Sequence, residues 1–198
     1  AWKRLADELG IPFNEKTNER LRGVSRMASL EIILEKSQAT YTEEEKLEFA
    51  RRKNEYYLNL LESLNYNSVS PEARNALEIL KRLNYKLAIG SSSKNTKFIL
   101  EKIGLLKMFD AISDGTNIMN SKPDPEVFLT AAKMLGVTPE QAIVVEDAAS
   151  GIAAAKAGHF ITCGIGPMAK AKDATIKIQE LSDLVHILLK EDKQYGKK

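Results

Sequence analysis

The sequence holds one cysteine, two histidines and no long apolar run. Cys163 cannot form an internal disulfide, and one thiol cannot build a cysteine-rich zinc site. His159 and His186 are too few for a multi-histidine metal centre. Any bound metal must therefore rest on carboxylates and other oxygens, which suits Mg²⁺. A bilayer span needs ~20 consecutive apolar residues, and no segment approaches that. An excess of one charge sign is also missing: 29 Lys and Arg stand against 27 Asp and Glu, a formal net charge of +2. Such a balance does not call for nucleic acid or an anionic membrane as the main partner, and leaves room for a local basic pocket for a small phosphate. The opening AWKRLADELG is charged and amphipathic, unlike a signal peptide, so a reducing cytoplasm is the expected setting.

What is present is ordinary for a folded domain: 198 residues, 43% hydrophobic and 28% charged. That length suits one domain, or a core with a small added subdomain. The first third reads as helices. Trp2, Leu5, Ala6 and Leu9 recur at helical spacing and stop at Gly10. Ser25 can cap a helix carrying Leu30, Ile33 and Leu34. Thr42 and Glu45 form a capping box that opens a long helix to about Leu64. The stretch 65–70, NYNSVS, reads as a linker.

Beyond it the period changes. Ser70-Pro71 opens a helix through Leu83, and KLAIG (86–90) is a short strand. Helices follow over about Thr96–Ile103 and Pro125–Leu135, with a strand candidate at 109–113 between them. AIVVED (142–147) is a strand ending in two acids, and 151–158 is a helix of small residues. Strands at 160–166 and 174–178 precede a last helix capped by Ser182. Short strands alternating with helices imply an α/β fold with a doubly wound parallel sheet. The expected organisation is a helical subdomain over 1–65 and an α/β core over 66–198.

In open α/β sheets ligands bind past the carboxyl ends of the strands. Three motifs lie there. After KLAIG comes SSSKN (91–95), hydroxyls, an ammonium and an amide before a helix, a plausible phosphate cradle or a plain serine-rich turn. Lys122 precedes a proline-rich turn and a helix, where it can offset phosphoryl charge or stand solvated. Glu146-Asp147 end a strand before a glycine-led helix, where they can bind Mg²⁺ or cap that helix. In this order the three supply a phosphate-binding hydroxyl, a cation and metal-binding carboxylates, the inventory of phosphoryl transfer.

These motifs resemble the haloacid dehalogenase superfamily, Ser91, Lys122 and Glu146-Asp147 matching its second, third and fourth motifs. LRGVSR (21–26), Ser29, RRKN (51–54) and Ser93-Lys94-Asn95 narrow the resemblance to its β-phosphoglucomutase family, which carries a helical cap. The resemblance implies that Arg26 holds the non-reacting phosphate from the cap, a task for a guanidinium fork. It implies that Leu21, Gly23, Val24 and Ser29 line the cap side of the sugar pocket, with Trp2 and Lys53 contacting the sugar or closing over it. Ser93, Lys94 and Asn95 would bind the distal phosphate from the core and Ser92 the substrate beside them, Ser91 and Lys122 would hold the transferring phosphoryl group, and Glu146 and Asp147 Mg²⁺. The implied partners are small sugar phosphates, with no nucleic acid, no membrane and a monomeric state.

Two departures accompany the resemblance. The family's Asp-x-Asp pair, nucleophile and acid/base on a central strand before the cap, has no match in this sequence. The expectation is that the natural protein begins about two dozen residues earlier, that two strands are otherwise left unpaired, and that the chain as written does not turn over. The smaller departure is Ala148-Ala149, where relatives often place a polar residue. For the complete protein the resemblance implies interconversion of β-D-glucose 1-phosphate and glucose 6-phosphate through a bisphosphate and an aspartyl-phosphate enzyme. A sugar-phosphate phosphatase and a non-catalytic phosphosugar binder are the rivals. A distal phosphate anchor such as Arg26 separates the mutase from a plain phosphatase, which needs none.

Overall fold

The computed structural model describes residues 1–195, with side chains described to Lys190. Four helices come first: α1 (Trp2–Glu8), α2 (Glu15–Arg20), α3 (Arg26–Leu34) and α4 (Glu43–Leu61). Leu5, Leu30 and Ala50 join α1, α3 and α4, while Ala6, Ile11, Leu21 and Ile33 form a second apolar cluster beside them. The helix starts have local causes. The Ser25 hydroxyl accepts from the Ala28 N–H, and Thr42 and Glu45 make the reciprocal capping box. Helix α2 has no counterpart in the expectation. Asn14 caps it by accepting from the Thr17 N–H, but Thr17 is its one buried residue, so it shows no apolar stripe.

The α/β part runs α5 (Pro71–Arg82), β1 (Ala88–Gly90), α6 (Thr96–Lys102), β2 (Ala111–Ser113), α7 (Glu126–Leu135), β3 (Ile143–Glu146), α8 (Ala149–Ala157), β4 (Ile161–Ile165), β5 (Ile176–Ile178) and α9 (Leu181–Tyr195). Ser182 does not cap α9. It lies inside the helix, and the Asp183 carboxylate reaches back to the Gln179 and Glu180 N–H groups. A carboxylate can accept both donors at once, which one serine hydroxyl does less well. The segment 65–70 is also more ordered than a linker reading suggests. It contains a short 3₁₀ turn at Tyr66–Ser68, onto which the buried Arg74 clamps by donating to the Tyr66 carbonyl.

All strand pairs are parallel, as the βαβ pattern requires, but the sheet stands in two pieces. β1 pairs with β2, and β3, β4 and β5 form the other piece in that order. Helices cover both faces. Cys163, Ile143, Val145 and Ile178 meet Ala76 and Leu80 of α5 and Leu184 and Leu188 of α9. Val144 faces the other way, into Val127, Phe128, Ala154 and Ala155 of α7 and α8. Strand alternation then fixes the direction of Glu146, which shares the Val144 face and looks onto α8. Helix α7 packs on β1 and β2 and also on α8, so it spans the division.

Candidate active site

The carboxyl ends of β1 and β3 meet the helical subdomain across a cleft of roughly 1140 Å³. Every site residue singled out in the sequence lines it: Trp2, Leu21, Gly23, Val24, Arg26, Ser29 and Lys53 from the helices, and Ser91 to Asn95, Lys122, Glu146 and Asp147 from the α/β part. Six cations line the cleft (Arg22, Arg26, Arg51, Lys53, Lys94 and Lys122) against two acids, Glu146 and Asp147. An anionic ligand is what such a lining favours.

The 91–95 loop is wound by its own serines. The Ser91 N–H extends the β1–β2 ladder to the Ser113 carbonyl at 2.9 Å. The Ser91 hydroxyl accepts from the Ser93 N–H at 3.2 Å, and the Ser93 hydroxyl accepts from the Asn95 N–H at 3.1 Å. Ser91 thus spends acceptor capacity on the loop and keeps its proton to donate. Ser92 does something else: its hydroxyl donates across the cleft to the Gly23 carbonyl at 2.7 Å. Gly115 makes room for this loop, since a Cβ there would sit 2.7 Å from the Ser92 carbonyl oxygen.

Lys122 is buried rather than solvated, 5% exposed. It lies over the Phe128 ring, donates to the Gly90 carbonyl at 3.1 Å and forms an ion pair with Glu146. One ammonium therefore bridges the ends of β1 and β3. Glu146 is held from beneath by the absence of a side chain: a Cβ on Gly151 would lie 2.1 Å from its carboxyl carbon. Asp147 does not cap α8, whose N-cap residue is Ala148 with no side-chain bond. Its carboxylate is solvent-facing, with Arg22 4.0 Å away. Two carboxylates, one exposed and only loosely paired with Arg22 and one paired with Lys122, suit Mg²⁺, which keeps waters and takes the rest of its shell from phosphate. Among the described residues no three acids, histidines or cysteines gather into a closed metal cage.

Across the cleft, Arg26 opens α3 just after its serine cap. Burial draws its pKa down from the usual guanidinium value, and it remains a cation. Lys53 lies over the rings of Trp2 at 4.6 Å and Tyr57 at 4.4 Å. Burial, and then the nearby Arg26 charge, push its pKa down to about 8. Trp2 is thus both core and lining: it packs against the α1 cluster and presents its ring to the ammonium. The Arg26 Nη2 donates to Asn54 Oδ1 at 2.7 Å, and the Asn95 Nδ2 donates to the same oxygen at 2.9 Å. Ser150 completes the closure, its hydroxyl donating to the Arg22 carbonyl at 2.8 Å. The backbone there turns through Gly23 at φ 75, and a Cβ on Gly23 would collide with the Ser150 hydroxyl at 2.4 Å. Asn54, Tyr57, Arg22 and Ser150 escape the sequence reading. Asn54 and Arg22 at least lie within the quoted RRKN and LRGVSR runs.

Comparison with known proteins gives a consistent picture. The family described as haloacid dehalogenase-like hydrolase matches residues 1–159. The β-phosphoglucomutase of Bacillus subtilis is 39% identical over 97% of this chain and 86% of its own length. A phosphorylated carbohydrates phosphatase of Thermotoga maritima is 32% identical over 96% of this chain and 90% of its own. Among solved structures, a β-phosphoglucomutase from Clostridium difficile superposes with a TM-score of 0.90 at 34% identity, covering 100% of this chain and 90% of that one.

Proposed function

Because this chain belongs to the haloacid dehalogenase-like hydrolase family, we propose that its cleft serves phosphoryl transfer on a sugar phosphate, interconverting β-D-glucose 1-phosphate and glucose 6-phosphate in the cytoplasm. One observation carries this reading: the cleft provides for two anionic groups. At one end Ser91 and Lys122 stand beside Glu146. At the other, Arg26 from the cap and Asn95 from the core converge on one amide oxygen. A mutase needs both ends, because its sugar carries two phosphates midway, as a 1,6-bisphosphate, and reacts from either side. A hydrolase needs only the first. The likeness to the Bacillus β-phosphoglucomutase supports the same reading.

The geometry is compatible with these roles, which belong to the proposal. Lys122, buried and fixed by two acceptors, neutralises charge on the phosphoryl oxygens without having to reorganise. The Ser91 hydroxyl donates to one of those oxygens. Arg26, Ser93, Lys94 and Asn95 hold the distal phosphate, and Trp2, Leu21, Val24, Ser29 and Lys53 enclose the sugar between the two. The cap, residues 1–65, closes over the core, residues 66–198, and so excludes water from the reacting end. Glu146 and Asp147 would hold Mg²⁺, which supplies charge neutralisation at the transferring group. In this reading the phosphoryl group rides on an aspartyl carboxylate. Among the described residues the only acids lining the cleft are Glu146 and Asp147, the two assigned to Mg²⁺, so the residues named here are given binding, positioning and charge neutralisation rather than attack.

The test pairs calorimetric titration of both glucose phosphates with an assay for glucose 6-phosphate and released phosphate in Mg²⁺. Binding of both phosphosugars, weakened at least tenfold by Arg26→Ala, is expected. Phosphate release without isomerisation, and with Arg26→Ala unimpaired, would favour the activity of the Thermotoga relative. Failure to bind either phosphosugar would remove both readings.

A further inference from the structure

Most cations on the cap have an acid beside them. On α4, Arg51 pairs with Glu48 and Glu55, and Arg52 pairs with Glu8. The next two residues break the pattern. Lys53 meets two aromatic rings, and Asn54 takes up the Arg26 guanidinium where a carboxylate would be the usual partner. Among the described residues, Arg26, Lys53 and Lys94 have no carboxylate within ion-pairing distance.

The orientation of the Asn54 amide follows from its partners. A guanidinium has donors only, so the atom facing Arg26 must be the oxygen. That oxygen then also accepts from Asn95 Nδ2. A cap residue and a core residue share one acceptor, and the Asn54 NH₂ hydrogens have no protein acceptor among the described residues. An aspartate has the same shape and would accept more strongly, in a fork with Arg26. It would also cancel the charge that draws a phosphate in.

We propose that Asn54 is the positioning residue of the distal anion site: a neutral acceptor that fixes Arg26 and Asn95 on one oxygen across the cap–core boundary and leaves the Arg26 charge for the ligand. The role rests on the sugar-phosphate reading above. It adds a reason for the amide, which is that the site must hold its arginine without neutralising it.

The probe is glucose 6-phosphate, titrated calorimetrically into the wild-type chain and into Asn54→Asp, Asn54→Ala and Asn54→Gln at low and moderate salt, with thermal melts as a check on folding. Affinity is expected to fall most in Asn54→Asp, about a hundredfold, and about tenfold in Asn54→Ala. Asn54→Gln should recover part of the loss. The salt dependence of binding should flatten in Asn54→Asp by about one charge. A purely structural asparagine predicts the reverse order, with the isosteric aspartate closest to wild type. If wild type does not bind glucose 6-phosphate, the sugar-phosphate reading fails. If wild type binds and Asn54→Asp stays within twofold of it, the role of Asn54 is refuted while that reading stands. Should Asn54→Asp not fold, Asn54→Ala binding as tightly as wild type refutes it equally.

Discussion

Replacing Lys53 by Met should stabilise the protein while weakening its grip on phosphosugars. The Lys53 pKa lies at about 8 against an ordinary value of 10.5. The difference, about 2.5 units at 1.36 kcal/mol each, corresponds to about 3.4 kcal/mol against the charged form. The side chain is partly exposed, so solvent screening reduces this. Removing it also forfeits the attraction of the Trp2 and Tyr57 rings, roughly 0.5–1 kcal/mol each. About 1 kcal/mol remains, and Met matches the length of the lysine stem. At pH 7 the melting temperature of Lys53→Met should rise by about 2–4 °C.

The pH dependence is the sharper readout. Unfolded, Lys53 keeps its proton to 10.5; folded, it releases it near 8. Between these values the unfolded state binds more protons, so wild-type stability rises with pH, by up to about 1.4 kcal/mol per unit. Lys53→Met should lack this rise, and its advantage should vanish by about pH 9. The charged neighbours leave that window clear. The Ala1 amine, lowered from 8.0, adds a rise of the same sign below about pH 8 in wild type and variant alike, so the difference between the two curves is what reports Lys53; Arg26 stays charged, and Tyr57 is raised above 10.0. The Cys163 thiol, raised to about 11, acts with opposite sign and only from about pH 9 upward. Melts at half-unit steps from pH 7 to 9 decide the matter. Parallel curves, with wild type the more stable throughout, would mean that Lys53 is not a cation held at a cost. Phosphosugar affinity of wild type should meanwhile fall about tenfold per unit above pH 8.

Gly151→Ala should push the Glu146 carboxylate off its seat, since the new methyl would lie 2.1 Å from the carboxyl carbon. Mg²⁺ titration should weaken, and chemical denaturation should show a loss of about 1–3 kcal/mol. Lys122→Met strands Glu146 in a buried place and should cost about 3–5 kcal/mol; adding Glu146→Gln should recover much of that in a double-mutant cycle. Ser92→Ala with Ser150→Ala removes both hydroxyls that hold the Arg22-Gly23 turn to the core. At about 0.5–1.5 kcal/mol per bond, the equilibrium constant for closure should fall roughly five- to 150-fold, seen as faster proteolysis near the 65–70 turn.

Much of this molecule is legible where the cause is local. The caps at Ser25, Thr42 and Ser70 and the end of the helix at Leu135, which Gly136 closes in the left-handed region, need only a few neighbouring residues, and each stands where the sequence places it. Helix α2 is not legible, because it is polar all round and rests on one asparagine cap. Asp183 was obscured by the serine beside it, since either residue type starts a helix. The lining of the cleft follows from strand-end logic and from the motifs. The partners inside it do not. Nothing in the surroundings of Lys122, a serine before it and a proline after it, announces an ammonium buried between a carbonyl 32 residues away and a carboxylate 24 residues away. Asn54 depends on three elements meeting at once, and no spacing rule encodes that.

The division of the sheet makes Lys122 a keystone in the masonry sense. It touches the last carbonyl of one piece and the last carboxylate of the other, at the lip of the cleft. Whatever anion settles on this ammonium leans on both halves of the α/β body at once, while its far end engages the cap. Occupancy and cohesion are then one thermodynamic quantity read two ways. The slowest amides to exchange in the presence of a phosphosugar should include those flanking the seam, Gly90 and Glu146, and not merely those that touch the ligand.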